Sequence, residues 1–438
     1  MGTSLLEEAR TDQPKGFTEG TRSRSVERNG RDRWRRLGIS TRAVHAGSQD
    51  DPVTGAVGTP IYQTSTFLLG QGQYQAVGEG KGREILIYSR WGNPSQWAVQ
   101  EKLAALEGAE SAVVTSSGMA AIHAAVTSMV EQGDHVVASN ELYGGTFSLF
   151  QHDLPRFGVE VTFVDPRDLD AVARAMGPRT RLLYFEALSN PLLKLADIPS
   201  LAAIARRHEA KLVVDATFVT PLGCRPLEHG ADLVVHSGTK YLNGHSDLMC
   251  GAVLGGRELV DEAWRRLIHQ GSCLDPHGCF LLERGLKTLS LRMRAHWQGA
   301  LEVARFLRSR PEIDRVFHPD LNDHPDHALA ERLLDGGCGM VTFFVRGGDE
   351  AALALLGGLR IPKEATSLGG VESLISLPFN SSHATYSAEE RSALGLDPGC
   401  IRLSVGVEDP VDLIDDFDQS LSRLASSGPR KLNPDRRM

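Results

Sequence analysis

Six short aliphatic and β-branched runs between residues 111 and 239 most constrain the fold. They are SAVVTSS (111–117), HVVASN (135–140), VEVTFVD (159–165), RLLYFEA (181–187), KLVVDAT (211–217) and DLVVHSGT (232–239). Stretches of helical periodicity separate several of them, with helices predicted from Gly118 to Val130 and over 199–208. Joining parallel strands takes a crossover of a dozen or more residues, usually helical, so this alternation predicts an α/β chain with a mostly parallel central sheet and flanking helices. The runs carry little polar alternation, as expected of strands covered on both faces.

From about Met293 the rhythm changes. A helix in ALEVARFLRS (300–309) leads to RVFHP (315–319), a helix in HALAERLL (327–334), a strand-like MVTFFVRG (340–347) and a helix in AALALLGGL (351–359). Strand-like runs near 372–378 and 400–407 and a last helix in VDLIDDFDQSLSRLA (411–425) complete a smaller α+β domain. The expected division is a large domain over 96–292 and a C-terminal small domain over 293–425. Residues 41–95 hold no long helix and read as an arm that contacts a neighbouring subunit. Residues 1–40, with RSRSVERNGRDRWRR, and 426–438 read as polar tails.

Composition narrows the function. Hydrophobic residues make up 41% of the 438, enough for a substantial core, and the net charge of −8 gives no pull toward nucleic acid or anionic membrane. No apolar run is long enough to cross a bilayer, no signal peptide is evident, and MGTSLL lacks the hydroxyl residue that myristoylation requires. The six cysteines (224, 250, 273, 279, 338 and 400) form no C-x-x-C pair and read as reduced thiols. A cytoplasmic protein is the expectation.

In open parallel sheets, ligands bind beyond the carboxyl ends of the strands. Ser116, Ser117 and Gly118 follow AVVT and open a helix; Glu186, Ser189 and Asn190 follow LLYF; Asp215 ends KLVVD; Ser237, Thr239 and Lys240 follow LVVH. A helix N-terminus offers unpaired N–H groups and a positive dipole end to a phosphate, and a glycine there allows close approach. Taken singly, each residue has an ordinary alternative: Asp215 and Ser117 as helix caps, Lys240 as a surface lysine, Tyr143 in ELYGGT (141–146) as a turn tyrosine. Together an anion cradle, a carboxylate and an amine meet the needs of pyridoxal phosphate (PLP). Lys240 would hold the aldehyde as an imine, Asp215 would face the ring nitrogen, and Tyr143 would stack on the ring.

At this point the chain resembles the Cys/Met-metabolism PLP enzymes: cystathionine γ-synthase, cystathionine γ-lyase, methionine γ-lyase and their sulfhydrylase relatives. The resemblance covers about residues 40–425. It rests on YSRWGNPS (88–95), SSGMAAI (116–122), ELYGGT, SNP (189–191), VVDATFVTP (213–221), HSGTKYLNGHSD (236–247), SLGGVESL (367–374) and IRLSVGVED (401–409), in family order. It implies PLP fold type I, the aspartate-aminotransferase-like fold, with the cofactor in the large domain. Lys240 resembles the Schiff-base lysine, Asp215 the pyridinium partner, and Tyr143 the stacking tyrosine that also moves protons. Ser117, Gly118, Met119, Ser237 and Thr239 resemble the phosphate cradle. Tyr88 and Arg90 resemble a pair that reaches the phosphate of a neighbouring subunit, which implies a homo-oligomer, usually a dimer of dimers. Asn190, Ser367 and Arg402 resemble the groups that hold the substrate carboxylate.

The implied reaction is γ-elimination on a homoserine-type or sulfur amino acid, through a vinylglycine-like intermediate, to a 2-oxo acid and ammonia. γ-Replacement and a non-enzymatic amino-acid sensor are the alternatives. The chain departs from the family at five places: Gly145, where methionine γ-lyases carry cysteine; Thr366, where cystathionine enzymes carry glutamate; Ala216 for asparagine; NSSHAT (380–385); and Trp91, read as a wall of the substrate entrance.

Other motifs point nowhere. Ser237 and Lys240 form an S-x-x-K without its S-D-N and K-T-G companions. GEGKGR (78–83) lacks the ending of a P-loop. HPDLNDHPDH (318–327) reads as a polar loop rather than a metal site. No nucleic-acid or membrane partner is expected.

Overall fold

The computed structural model describes residues 34–51, 53–70, 72–380 and 395–427. The six predicted runs form strands β1 (Ser111–Thr115), β2 (His135–Ser139), β3 (Glu160–Val164), β4 (Thr180–Glu186), β5 (Lys211–Asp215) and β6 (Leu233–His236). A seventh, β7 (Gly251–Gly255), completes a sheet of order β1-β7-β6-β5-β4-β2-β3. All neighbours are parallel except β7, which runs antiparallel to both β1 and β6. No helix lies between β6 and β7, so the chain reverses through the loop 237–250 instead of crossing over. That loop carries Lys240.

β1, β6 and β7 are buried along their whole length, while edge strand β3 is exposed at alternate residues. Separate apolar clusters cover the two sheet faces; Val214, Val234 and Leu254 point into one, and Val213, Val235 and Val253 into the other. Each such side chain contributes about 1.5–3 kcal/mol by leaving water. The helix predicted to reach Val130 spans Gly118–Thr127, and that of 199–208 spans Ile198–Arg207.

The second sheet joins β8 (Ile313–Phe317), β9 (Met340–Val345), β10 (Lys363–Glu364), β11 (Leu374–Ser376) and β12 (Cys400–Ser404) in the order β10-β11-β12-β9-β8. It packs on helices Gly348–Gly358 and Pro410–Ser427 around its own core. The helix Leu289–Arg308 is shared: Leu289 and Met293 sit in the large-sheet core, whereas Ala300, Val303 and Leu307 sit in the second. Twenty residues span about 30 Å, enough to tie both cores together.

Within 41–95 the described elements are short: Ile39–His45, Gln73–Gly78 and a single turn Gly82–Glu84. The NPS of YSRWGNPS starts the Pro94–Glu107 helix. Asn93 caps it by accepting from Ser95 N, Pro94 needs no N–H there, and Gly108 closes it with φ +74°. Trp91, read above as a wall of the entrance, has an aromatic partner within the chain. It packs edge-on against Trp264 at 6.0 Å between centroids, and its carbonyl accepts from the Trp264 indole at 2.8 Å. A large aromatic with an apolar partner beside it gains more from that packing than from standing in solvent.

Most residues 1–40, NSSHAT after Asn380, and 428–438 lie outside the described residues. Among the described residues no helix is long and apolar enough to cross a membrane.

Candidate active site

The strand ends bring the sequence candidates together. β4 and β5 end on Glu186 and Asp215, which are register partners, so two carboxylates sit side by side at the edge of the sheet. Asp215 accepts from Thr217 N at 2.9 Å, and the Tyr184 hydroxyl lies 3.5 Å from its other oxygen. Burial pushes the Asp215 carboxyl above the usual range. Burial, then the Asp215 charge, pushes Glu186 well above it. Thr217 also accepts from Ser237 N at 2.8 Å, which ties the loop after β5 to the loop after β6.

That second loop is built tightly. The Thr239 hydroxyl donates to Cys250 O at 3.1 Å and accepts from Cys250 N at 2.9 Å. Gly238 leaves no room for a Cβ, which would lie 2.5 Å from Cys250 Sγ. Lys240 Nζ donates to Ser367 Oγ at 2.6 Å. Burial, with the positive charge of Arg402 second, lowers the Lys240 amine to about 8.

Arg402, on β12, is buried. Its Nη1 donates to Asn190 Oδ1 at 3.2 Å and its Nη2 to Ser367 O at 3.0 Å. Asn190 precedes Pro191 through a cis bond, and Ser367 holds φ +86°, a conformation side-chain-bearing residues seldom take. Burial brings the guanidinium down to about 10.

Across the cleft, Ser117 caps the Gly118–Thr127 helix by accepting from Ala120 N at 3.1 Å. The first turn leaves the Gly118 and Met119 amides without intrahelical acceptors. A Cβ on Gly118 would lie 2.7 Å from Ser237 Cβ, so the helix N-terminus and the lysine loop meet here with room for glycine only. Tyr143 N donates to Glu186 Oε1 at 2.6 Å, and the residue is 48% exposed. A Cβ on Gly145 would sit 2.7 Å from that ring and 3.0 Å from Met119 Sδ, so a cysteine at 145 would have to displace the ring.

Two predicted residues stand apart. Tyr88 bridges to Thr66, and Arg90 donates to Ile268 O at 2.5 Å with its guanidinium 5.6 Å from the Tyr88 ring. Among the described residues no hydrogen bond joins either to the Lys240 cluster. Ser116 N donates to Ser272 O, and Ser189 turns away to Glu141, which also pairs with Lys194. Thr366 is exposed and Ala216 fully buried. The histidines of 318–327 bond to backbone: His318 to Cys338 O, His327 to Pro319 O, and His324 Nδ1 to Asp326 N.

Sequence reasoning placed Glu186 at a strand end without a role and passed over Tyr184, Thr217 and Arg292. For Tyr184 and Thr217 the only local signal is their distance from Asp215, two residues away in each case, across the strand pair or along the chain.

A cleft with a low-pKa amine, a buried carboxylate at a strand end, a glycine-opened helix N-terminus and a buried arginine fits PLP and defines a PLP-dependent enzyme. The chain belongs to the Cys/Met metabolism PLP-dependent enzymes, whose family model matches residues 40–422. It is 42% identical to an L-methionine gamma-lyase of Fusobacterium nucleatum subsp. polymorphum, over 89% of this chain and 99% of that one. It is also 42% identical to a cystathionine beta-lyase of Lactococcus lactis subsp. cremoris, over 88% and 99%. Among solved structures it matches cystathionine gamma-lyase from Lactobacillus plantarum complexed with L-serine, with TM-score 0.83 and 36% identity over 89% of this chain and 100% of that one. The metB structure from Corynebacterium glutamicum matches with the same TM-score and identity, over 89% and 99%. The cofactor is pyridoxal phosphate and the chain is a PLP-dependent lyase.

Proposed function

We propose that the chain catalyses γ-elimination on a sulfur or homoserine-type L-amino acid, releasing a 2-oxo acid and ammonia. The observation that carries this reading is the convergence of Lys240, Ser367, Asn190 and Arg402 opposite the Gly118 helix N-terminus. Relatives named L-methionine gamma-lyase, at 40–43% identity over most of the chain, favour elimination over replacement.

When bound, PLP supplies an aldehyde carbon for an amine and an electron sink for charge left at the substrate Cα. In this reading the Gly118 and Met119 amides and the Ser237 hydroxyl hold its phosphate, joined by the Thr239 hydroxyl once it turns from Cys250 O, Asp215 faces its ring nitrogen, and Tyr143 covers its ring. Arg402 grips the substrate carboxylate, steadied by Asn190 and Ser367 O. The Lys240 amine, lowered to about 8, is neutral in about a tenth of molecules at pH 7, far more than an ordinary lysine, and in that form can take the Cα proton. The same amine, 2.6 Å from Ser367 Oγ, then delivers and removes protons along the substrate chain as the γ leaving group departs.

Tyr88 and Arg90, absent from the Lys240 cluster of their own chain, serve the phosphate site of a second copy. The active unit is then a homo-oligomer, with 41–95 as the contacting arm, 96–292 as the cofactor domain and 293–425 as the small domain.

The test is a substrate screen on the PLP-loaded protein: methionine, cystathionine, homocysteine, cysteine and O-acetylhomoserine, each with and without added thiol. Release of 2-oxobutyrate and ammonia from methionine or a γ-substituted homoserine without thiol supports elimination. A product formed only with thiol, or no turnover by a yellow protein, overturns it.

A further inference from the structure

Arg292 is a buried cation with no carboxylate beside it. It lies in the shared helix Leu289–Arg308 and is 6% exposed. Among the described residues no acid pairs with it, and burial alone brings its guanidinium down to about 10. Its donors go to the chain just after Lys240. Nη1 donates to Tyr241 O at 2.7 Å, and Nη2 to Leu242 O at 3.3 Å and Gly285 O at 2.8 Å. Nε donates to Thr288 Oγ1 at 3.1 Å. Gly244 closes over it, since a Cβ there would collide with the guanidinium.

The same helix grips residue 241 a second way: His296, one turn on, meets the Tyr241 ring edge-on at 5.1 Å. From the opposite side, Val371 N donates to Gly244 O at 3.0 Å, and Glu372 accepts from Ser246. The loop of Val371 and Glu372 also carries Ser367, the acceptor of Lys240 Nζ. The turn bearing the lysine is thus held between the shared helix and the Ser367 loop.

We propose that Arg292 is a positioning residue whose planar fork fixes the backbone of the 240–244 turn and so sets where Lys240 Nζ stands. The inference rests on the reading of Lys240 as the cofactor lysine. A guanidinium suits the task because its donors lie in one plane and reach several carbonyls at once, which an ammonium point charge cannot do. Burying a cation without a counter-charge is costly, and here the four bonds to fixed acceptors offset it. A misplacement of about 1 Å at a reacting group can cost about a hundredfold in rate.

The experiment is Arg292→Lys in the PLP-loaded enzyme. The expected result is unchanged cofactor content, KM within about threefold, kcat lower by about 10- to 100-fold, and a larger isotope effect on kcat with Cα-deuterated substrate. A readout independent of turnover is the rate at which cofactor-free protein turns yellow on adding PLP; it should fall with kcat. Wild-type kcat, isotope effect and colouring rate, within about twofold, overturn the proposal. So does a loss of activity that merely tracks a fall in folded fraction or Tm. If the lysine variant does not fold, Thr288→Val removes the Nε acceptor, along with that hydroxyl's own bond to Gly285 O at 3.1 Å, and should give an intermediate loss in the same readouts; an unchanged Thr288→Val overturns the proposal. Borohydride fixation of the cofactor at a residue other than Lys240 in the wild type would instead refute the reading beneath it.

Discussion

Arg402→Gln probes substrate binding where the structure allows a magnitude. Of the five N–H donors of a guanidinium, one serves Asn190 Oδ1 and one Ser367 O, which leaves three for a ligand. Two parallel charge-assisted bonds to a carboxylate, at about 1.5–3 kcal/mol each, are replaced by one neutral amide donor worth about 1 kcal/mol. The net loss of about 2–5 kcal/mol lowers kcat/KM by about 30- to 5,000-fold. The assay compares methionine with its decarboxylated amine, 3-(methylthio)propylamine, on wild type and variant, with PLP content checked by absorbance. The variant should lose strongly on methionine and little on the amine. Removing the charge should also raise the Lys240 pKa, because Arg402 is its second lowering influence. Equal losses on both compounds, or a loss under tenfold on methionine, would refute the carboxylate assignment.

Gly118→Val should weaken PLP binding by about tenfold or more, measured by absorbance titration of the cofactor-free protein, because a Cβ 2.7 Å from Ser237 Cβ forces the helix N-terminus off the lysine loop. Wild-type PLP affinity would remove Gly118 from the cradle. In the cofactor-free protein burial should bring the Lys240 amine down to about 8. Its reactivity toward an amine acylating reagent should therefore rise through pH 8 as the neutral form appears, and a midpoint near the ordinary 10.5 would contradict the burial argument. Trp91→Ala should cost about 2–3 kcal/mol in denaturant unfolding and leave KM within about twofold, since the ring packs on Trp264. A large KM change with unaltered stability would restore Trp91 to the entrance.

The sheet was legible because its signal is local. Each parallel strand is a short apolar run, and the residue that follows it lands at the carboxyl edge, so Asp215, Glu186 and Lys240 could be placed near one another from spacing alone. β7 escaped because its apolar centre is only Ala252, Val253 and Leu254 between glycines, and its antiparallel direction is fixed by a loop that any sequence of similar length could make. The Arg402, Asn190 and Ser367 cluster joins positions 212 and 35 residues apart across two sheets; no periodicity encodes such a contact, and only family resemblance pointed to it.

Arg292 is the instructive omission, because its signal was present. Leu289, Met293, His296, Ala300, Val303, Ala304 and Leu307 mark the buried stripe of the shared helix at helical spacing. In LSLRMRAHW, Arg294 falls off that stripe and is exposed, whereas Arg292 falls on it and is buried. A cation at a core-facing position must be paired or must hydrogen-bond fixed acceptors, since an isolated buried charge is too costly to keep. With no carboxylate one helical turn away, at 288, 289, 295 or 296, the acceptors beyond the Thr288 hydroxyl had to come from farther along the chain. The glycines at 244 and 285 were the remaining clue: Gly244 lets the lysine turn close over the guanidinium, and Gly285 lets its own backbone, one of the acceptors, press against Asn243. A charged residue in phase with a core stripe, read together with distant glycines, is thus a sequence pattern for a buried clamp.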